Sequence, residues 1–189
     1  MISRWFRRKK SAAERLQEQW TCSSCGETHQ GLFDLAAFAP DPWPGEEIYQ
    51  PNSALDLAGD FLSEDFCVLA GEHFMVRCVL EIPVDGFAEK FGFGCWSTLS
   101  RTNFDKYIDA FDHGKFEDWG PWNGWLMNRF AGYIGDEPEL VDVIPQPNRQ
   151  RPTLVIRDMD HPLAIAQAEG ISAERMLEIY EHYGHGETS

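Results

Sequence analysis

Apolar residues follow two different periods along this chain. Phe66-Cys-Val-Leu-Ala runs into Gly71-Glu72 and on into His73-Phe-Met-Val-Arg-Cys-Val-Leu-Glu-Ile-Pro-Val84. Two β-rich runs around a glycine-containing turn predict an antiparallel hairpin, and residues 91–99 read as a third strand. The period then switches. Phe104, Tyr107, Ile108 and Phe111 fall at i, i+3, i+4 and i+7, the stripe of a helix packed on one face. Thr102 as N-cap, with Asp105 three residues on, gives that helix a box-like start, and Gly114 ends it. Two further β-prone runs, 139–144 and 153–156, complete the sheet across the linker PQPNRQRP. Asp160 is placed to cap a helix over 161–169 that Gly170 stops. Ser172 caps a last helix, with Ile171 and Met176 spaced as a hydrophobic staple. Strands early and helices late, without βαβ alternation, predict an α+β fold: a largely antiparallel sheet covered on one face, with a central helix and C-terminal helices.

Two segments fall outside this pattern. PDPWPGEEIYQP (40–51) holds prolines at 40, 42, 44 and 51 and reads as a loop. FEDWGPWNGW (116–125) puts three tryptophans beside Gly120, Pro121 and Gly124, and reads either as an aromatic binding platform or as tryptophans pinning a loop to the sheet. At 189 residues with 43% hydrophobic positions, the chain is one core-forming domain. We place it at 20–184, with residues 1–19 as a basic, flexible tail. The stretch SAAERLQEQ favours helix but lacks a broad apolar face, so it is expected to lead into the domain without joining its core. A chain starting near Gln17 is then expected to melt within a few degrees of the whole.

Charge narrows the functional classes. The formal net charge is -15, yet Arg4, Arg7, Arg8, Lys9, Lys10 and Arg15 all lie in the first fifteen residues. The remaining body is more acidic still and repels phosphate backbones, which argues against nucleic-acid binding. Trp5 and Phe6 beside the cations leave open whether the tail touches a membrane surface or RNA, or is simply solvated. No apolar run is long enough for a membrane-spanning helix, and no secretory leader is evident. Five cysteines are too few and too odd for a disulfide scaffold, so a reducing cytoplasm is expected. No nucleophile elbow, phosphate loop, dinucleotide fingerprint or HExxH helix is present, which argues against the common hydrolase, NTPase and dehydrogenase classes.

The sharpest chemical signal is Cys22-Ser-Ser-Cys25-Gly26-Glu-Thr-His29, a small N-terminal turn. Two thiols three positions apart converge on one ion about 2.3 Å from each sulfur, and His29 supplies a third ligand. The candidate metal set is therefore Cys22, Cys25 and His29, holding one zinc ion. A fourth ligand has to come from elsewhere in the fold: Cys67 or His161 first, His182 or His185 behind them. Two ordinary reduced cysteines in a turn, or a redox pair, are the competing readings. Cys67, Cys78 and Cys95 lie in strand-like runs and are expected to pack. His161 beside Asp160 sits where the positive end of a helix dipole favours neutral imidazole, suited to a metal ligand or general base, or simply to a cap.

The blocks CSSCGETHQGL, DFCVL, VLEIPV, FGCWSTLS with NFDKY, NGWL, QRPTLVI and DHPLAIAQAEGIS occur in an order that resembles the DUF2199 family of uncharacterised bacterial proteins, over about residues 20–180. Cys22, Cys25, Gly26, His29, Cys67, Arg151, Pro152, His161 and Pro162 fall on positions of that pattern. Cys78 stands where the family usually has glycine, and Cys95 where a β-branched residue is usual. The resemblance implies a shared fold and a shared set of polar residues, and no activity. Three functions stay open: a non-enzymatic domain with a structural metal and an unnamed protein partner; an enzyme with an open zinc or a site of Cys67, Asp160 and His161; an acidic inhibitor or immunity-type protein docking on a basic partner.

Overall fold

The computed structural model describes residues 10–24, 26–114, 119–133 and 137–186. A short helix, α1 (Ala12–Gln17), precedes a two-stranded hairpin, β1 (Trp20–Thr21) and β2 (Thr28–His29). The main sheet takes β3 (Leu35–Ala36), β4 (Phe61–Leu62), β5 (Phe66–Leu69), β6 (His73–Pro83) and β7 (Lys90–Leu99). After α2 (Arg101–Phe111) it adds β8 (Trp122–Trp125), β9 (Leu140–Ile144) and β10 (Thr153–Ile156). Helices α3 (Pro162–Glu169) and α4 (Ala173–His182) follow. The fold is α+β, as the hydrophobic pattern predicts.

β6 and β7 are the spine of the sheet, paired antiparallel from Phe74↔Leu99 to Pro83↔Lys90. Their length gives each strand two further neighbours on its outer side. The start of β6 takes β5 as the predicted antiparallel hairpin, and its later part takes β10 in parallel. β7 takes the short β3 in parallel at Phe93 and Gly94. The path β3-β7-β6-β10-β9-β8 then curls back on itself: Leu126 bridges Ser97, and the Met127 amide donates to the Trp96 carbonyl at 2.8 Å. Closure depends on Gly124, where an added Cβ would lie 2.3 Å from Ser97 Oγ and 2.4 Å from the Thr98 carbonyl oxygen. Neither partner can retreat cheaply, since both sit on the opposing strand. Gly124→Ala should therefore cost about 2–3 kcal/mol in denaturant unfolding and speed hydrogen exchange at Met127. An unchanged midpoint would mean the seam is loose.

Alternation along β6 sorts its side chains. Phe74, Val76, Cys78, Leu80 and Ile82 join the main core with Phe104 and Tyr107 of α2, Leu163 of α3 and Met176, Ile179 and Tyr180 of α4. The expectation that only one face is covered needs correction. Met75 and Trp96, on the other face, form a second cluster with Leu62 and Cys67 under Phe38, Trp43 and Tyr49. The Pro-rich segment thus becomes a lid: prolines cannot donate to a ladder, but Trp43 and Tyr49 within it, and Phe38 just before it, pack against the second cluster. Arg77 ties it down, donating from Nη1 to Tyr49 Oη at 2.6 Å and from Nη2 to the Ala37 carbonyl at 2.8 Å.

Four local expectations shift. Ser100, not Thr102, caps α2, because β7 runs to Leu99 and Ser100 is the first residue free to do so. His161, not Asp160, caps α3, because Pro162 suits the first helical position. Ser172 caps α4, and Ile171 and Met176 are both buried, as a staple requires. The tryptophan segment becomes β8: Trp122 is buried, Trp119 packs on the main core, and Trp125 is about half exposed. Its residues 116–118 lie outside the described ones, so the pinning reading applies to Trp119 and Trp122. The largest difference is α1. Ser11 and Glu14 form a capping box, and Leu16 is fully buried with Ala12 beside it in the main core, against α4. Two apolar positions four apart suffice here because α4 offers a ready apolar face.

Burial acts on the thiols. Desolvation pushes Cys67 and Cys95 up to about 12, and Cys78 also well above its ordinary range. Each proton is held more tightly in the folded chain than in the unfolded one, so this stabilisation is complete below about pH 9 and is lost as pH rises from 9 toward 12. The slope is about 1.4 kcal/mol per pH unit for each thiol. Urea midpoints should fall steadily from pH 8.5 to 10.5; a flat profile would contradict this burial.

Candidate metal centre

The hairpin β1/β2 presents two of the sequence-flagged ligands. Trp20 pairs with His29 and Thr21 with Thr28, so Cys22 follows β1 directly and His29 stands opposite on β2. The turn between them is held by the backbone: Cys22 N–H donates to Glu27 O at 2.8 Å, and Gly26 N–H to Cys22 O at 3.1 Å. Gly26 has φ +71°, a conformation glycine adopts without a Cβ clash. Ser24 N–H donates to Cys22 Sγ at 3.4 Å. Cys25 lies outside the described residues.

The third ligand comes from the far end of the chain. Past α4, His185 Nδ1 lies 3.5 Å from Cys22 Sγ. Ligand atoms of Cys22, His29 and His185 all fall within 4.8 Å of one another. Two sets of contacts build this meeting into the fold. Ser23 N–H and Oγ both donate to the Gly186 carbonyl at 2.9 Å, stitching the turn to the C-terminal segment. His29 is clamped in an aromatic stack: its ring lies 4.2 Å from Phe33, which lies 4.1 Å from Tyr180 on α4. Tyr180 Oη donates to Phe33 O at 2.8 Å and accepts from Phe33 N–H at 2.9 Å, which locks that stack. Cys22 is buried, with both imidazoles partly exposed. One sulfur and two ring nitrogens are a donor set that suits zinc. For tetrahedral zinc with ordinary bond lengths, a sulfur and a nitrogen ligand stand about 3.6 Å apart. The Cys22–His185 separation meets that edge.

Of the candidates for a further ligand, the structure brings in His185 and leaves the others apart. His182 rests edge-on against Tyr183. Cys67 is fully buried in the second cluster, on the sheet face covered by the Pro-rich lid. His161 is engaged at both ring nitrogens: Nδ1 accepts from Leu163 N–H at 3.2 Å, and Nε2 lies 3.3 Å from Glu139 Oε1. The cap reading of His161 therefore holds. Among the described residues no hydrogen bond joins Cys67 to Asp160 or His161. Cys78 and Cys95 face each other across β6 and β7 inside the main core. His185 was legible only as one of several spare histidines, because nothing local marks a residue that 163 positions separate from its partner.

An α+β domain whose N-terminal hairpin and C-terminal segment meet at a cysteine–histidine cluster is what the fold and site define. The chain belongs to DUF2199, a family of uncharacterised proteins conserved in bacteria, whose model matches residues 21–171. Cys22, Cys25 and His29 lie inside that span and His185 beyond it. No curated protein and no solved structure matches the chain. No described helix is long and apolar enough to cross a membrane.

Proposed function

We propose that this protein is a non-enzymatic domain held together by one structural zinc ion, with Cys22, Cys25, His29 and His185 as ligands. The observation that carries the reading is the cluster itself: three ligand atoms from two distant segments, with the sulfur–nitrogen edge at the spacing zinc requires. Cys25 enters through the Cys-x-x-Cys spacing alone. Four protein ligands leave no position for water, which defines a structural centre. The ion fastens the hairpin to the residues after α4, and so contributes to folding. A reducing cytoplasm suits Cys67, Cys78 and Cys95, which are buried thiols in no disulfide.

A second reading, an enzyme with an open zinc, draws on a cavity of about 310 Å³ beside the site, lined by Trp20, Glu181 and His185 among others. The ligand count separates the two. Native mass spectrometry with elemental analysis of untagged protein should find one zinc per chain, and X-ray absorption should show four protein ligands. Three protein ligands and a water would favour the open site, and well under one equivalent of metal would overturn both readings.

A further inference from the structure

A second feature is built from residues other than those of the cysteine–histidine cluster. The loop following β8, the start of α3 and the Pro-rich lid enclose a cleft of about 440 Å³. Its floor is apolar, made by Leu126, Phe130 and Leu163, each buried in the main core. Its walls carry three carboxylates, Asp41, Glu137 and Glu139.

What matters is how these carboxylates are held. Asp41 Oδ1 accepts from the Asn128 amide at 3.0 Å, and Oδ2 from the Arg129 backbone N–H at 2.9 Å. Glu139 Oε1 lies 3.3 Å from His161 Nε2, whose ring accepts from the Leu163 amide at Nδ1. Both donors to Asp41 are neutral amides. Among the described residues none of the three acids is ion-paired to a lysine or arginine. Arg129 lines the same cleft and offsets one charge, leaving a net negative well over an apolar floor. A concave site with low-dielectric walls focuses that field, and a chain of net charge -15 adds long-range attraction for cations.

We propose that this cleft takes an arginine or lysine side chain from a basic protein partner. Such a side chain matches both halves of the site. Its aliphatic stem covers Leu126, Phe130 and Leu163, while its cationic head meets Asp41, Glu137 and Glu139, none of which is ion-paired to a lysine or arginine among the described residues. A purely apolar ligand would leave the carboxylates desolvated, and an anionic one would be repelled.

The test uses acetyl-arginine amide against acetyl-citrulline amide, which has nearly the same shape and no charge, titrated into the full chain by amide NMR. Arginine should give saturable shifts at Leu126, Phe130 and Leu163 that weaken with salt, and citrulline should not. Glu137→Gln with Glu139→Gln should weaken binding roughly tenfold or more while the rest of the spectrum stays unchanged. If that pair unfolds, Asp41→Asn serves the same comparison. Absence of saturable binding, equal binding of citrulline, or full affinity in a folded carboxamide variant would overturn the proposal.

Discussion

Replacing Cys22 with serine, or His185 with alanine, should empty the metal site and lower unfolding stability by about 3–5 kcal/mol. Each ligand comes from a segment with few other anchors. β1 and β2 are two residues each, and the chain past α4 makes no strand or helix before the described residues end at Gly186. Without the ion, the Ser23–Gly186 hydrogen bonds and the His29–Phe33–Tyr180 stack would have to hold both segments alone. Bringing thiol and imidazole ligands together is also a competition with protons, so zinc affinity should fall steeply below about pH 6. Cys78→Ala and Cys95→Ala are the contrasting pair. Both sulfurs sit in the main core, so these variants should keep the metal and lose only packing. Elemental analysis beside denaturant unfolding reads both quantities. Retention of zinc by Cys22→Ser, or its loss from Cys78→Ala, would place the ion elsewhere.

Removing residues 1–16 should lower the melting temperature by about 8–15 °C, a loss of roughly 4 kcal/mol for a domain of this size. Leu16 is fully buried and Ala12 nearly so, and the Leu16 carbonyl accepts from Gly31 N–H at 2.7 Å. Deleting them strips α4 of its cover and orphans the Gly31 amide. Leu16→Ala alone should reproduce much of the effect, which separates packing from the loss of the basic residues. Thermal unfolding of the two variants side by side makes the measurement. A truncated chain that melts within a few degrees of the whole would restore the reading of this segment as a dispensable leader.

Much of the fold was legible because it is written in local patterns. The alternation of β6, the i, i+3, i+4, i+7 stripe of α2, Gly170 after α3 and the Ser172 cap of α4 depend on neighbours a few residues apart. The misplacements at α2 and α3 were of one or two residues, and each reflects a neighbour the pattern did not weigh: the length of β7, and Pro162. β8 was hidden because four residues holding two tryptophans and a glycine carry no periodicity. Its strand character comes from β9 on one side and β7 on the other. α1 was undervalued for a related reason, since two apolar residues in six look like a weak face until α4 is set against them.

The candidate site divides in the same way. The sequence by itself singled out Cys22 and His29, because residues a few positions apart around a tight turn can be read from local spacing. It also determined that the chain is strongly acidic, with a formal net charge of -15, since net charge depends on composition alone. Only the tertiary structure decided that His185 completes the cluster, that Cys67 and His161 are committed elsewhere, and that Asp41, Glu137 and Glu139 share one cleft. Those groups lie far apart along the chain. Their meeting is set by which apolar faces bury one another, and no local spacing encodes that.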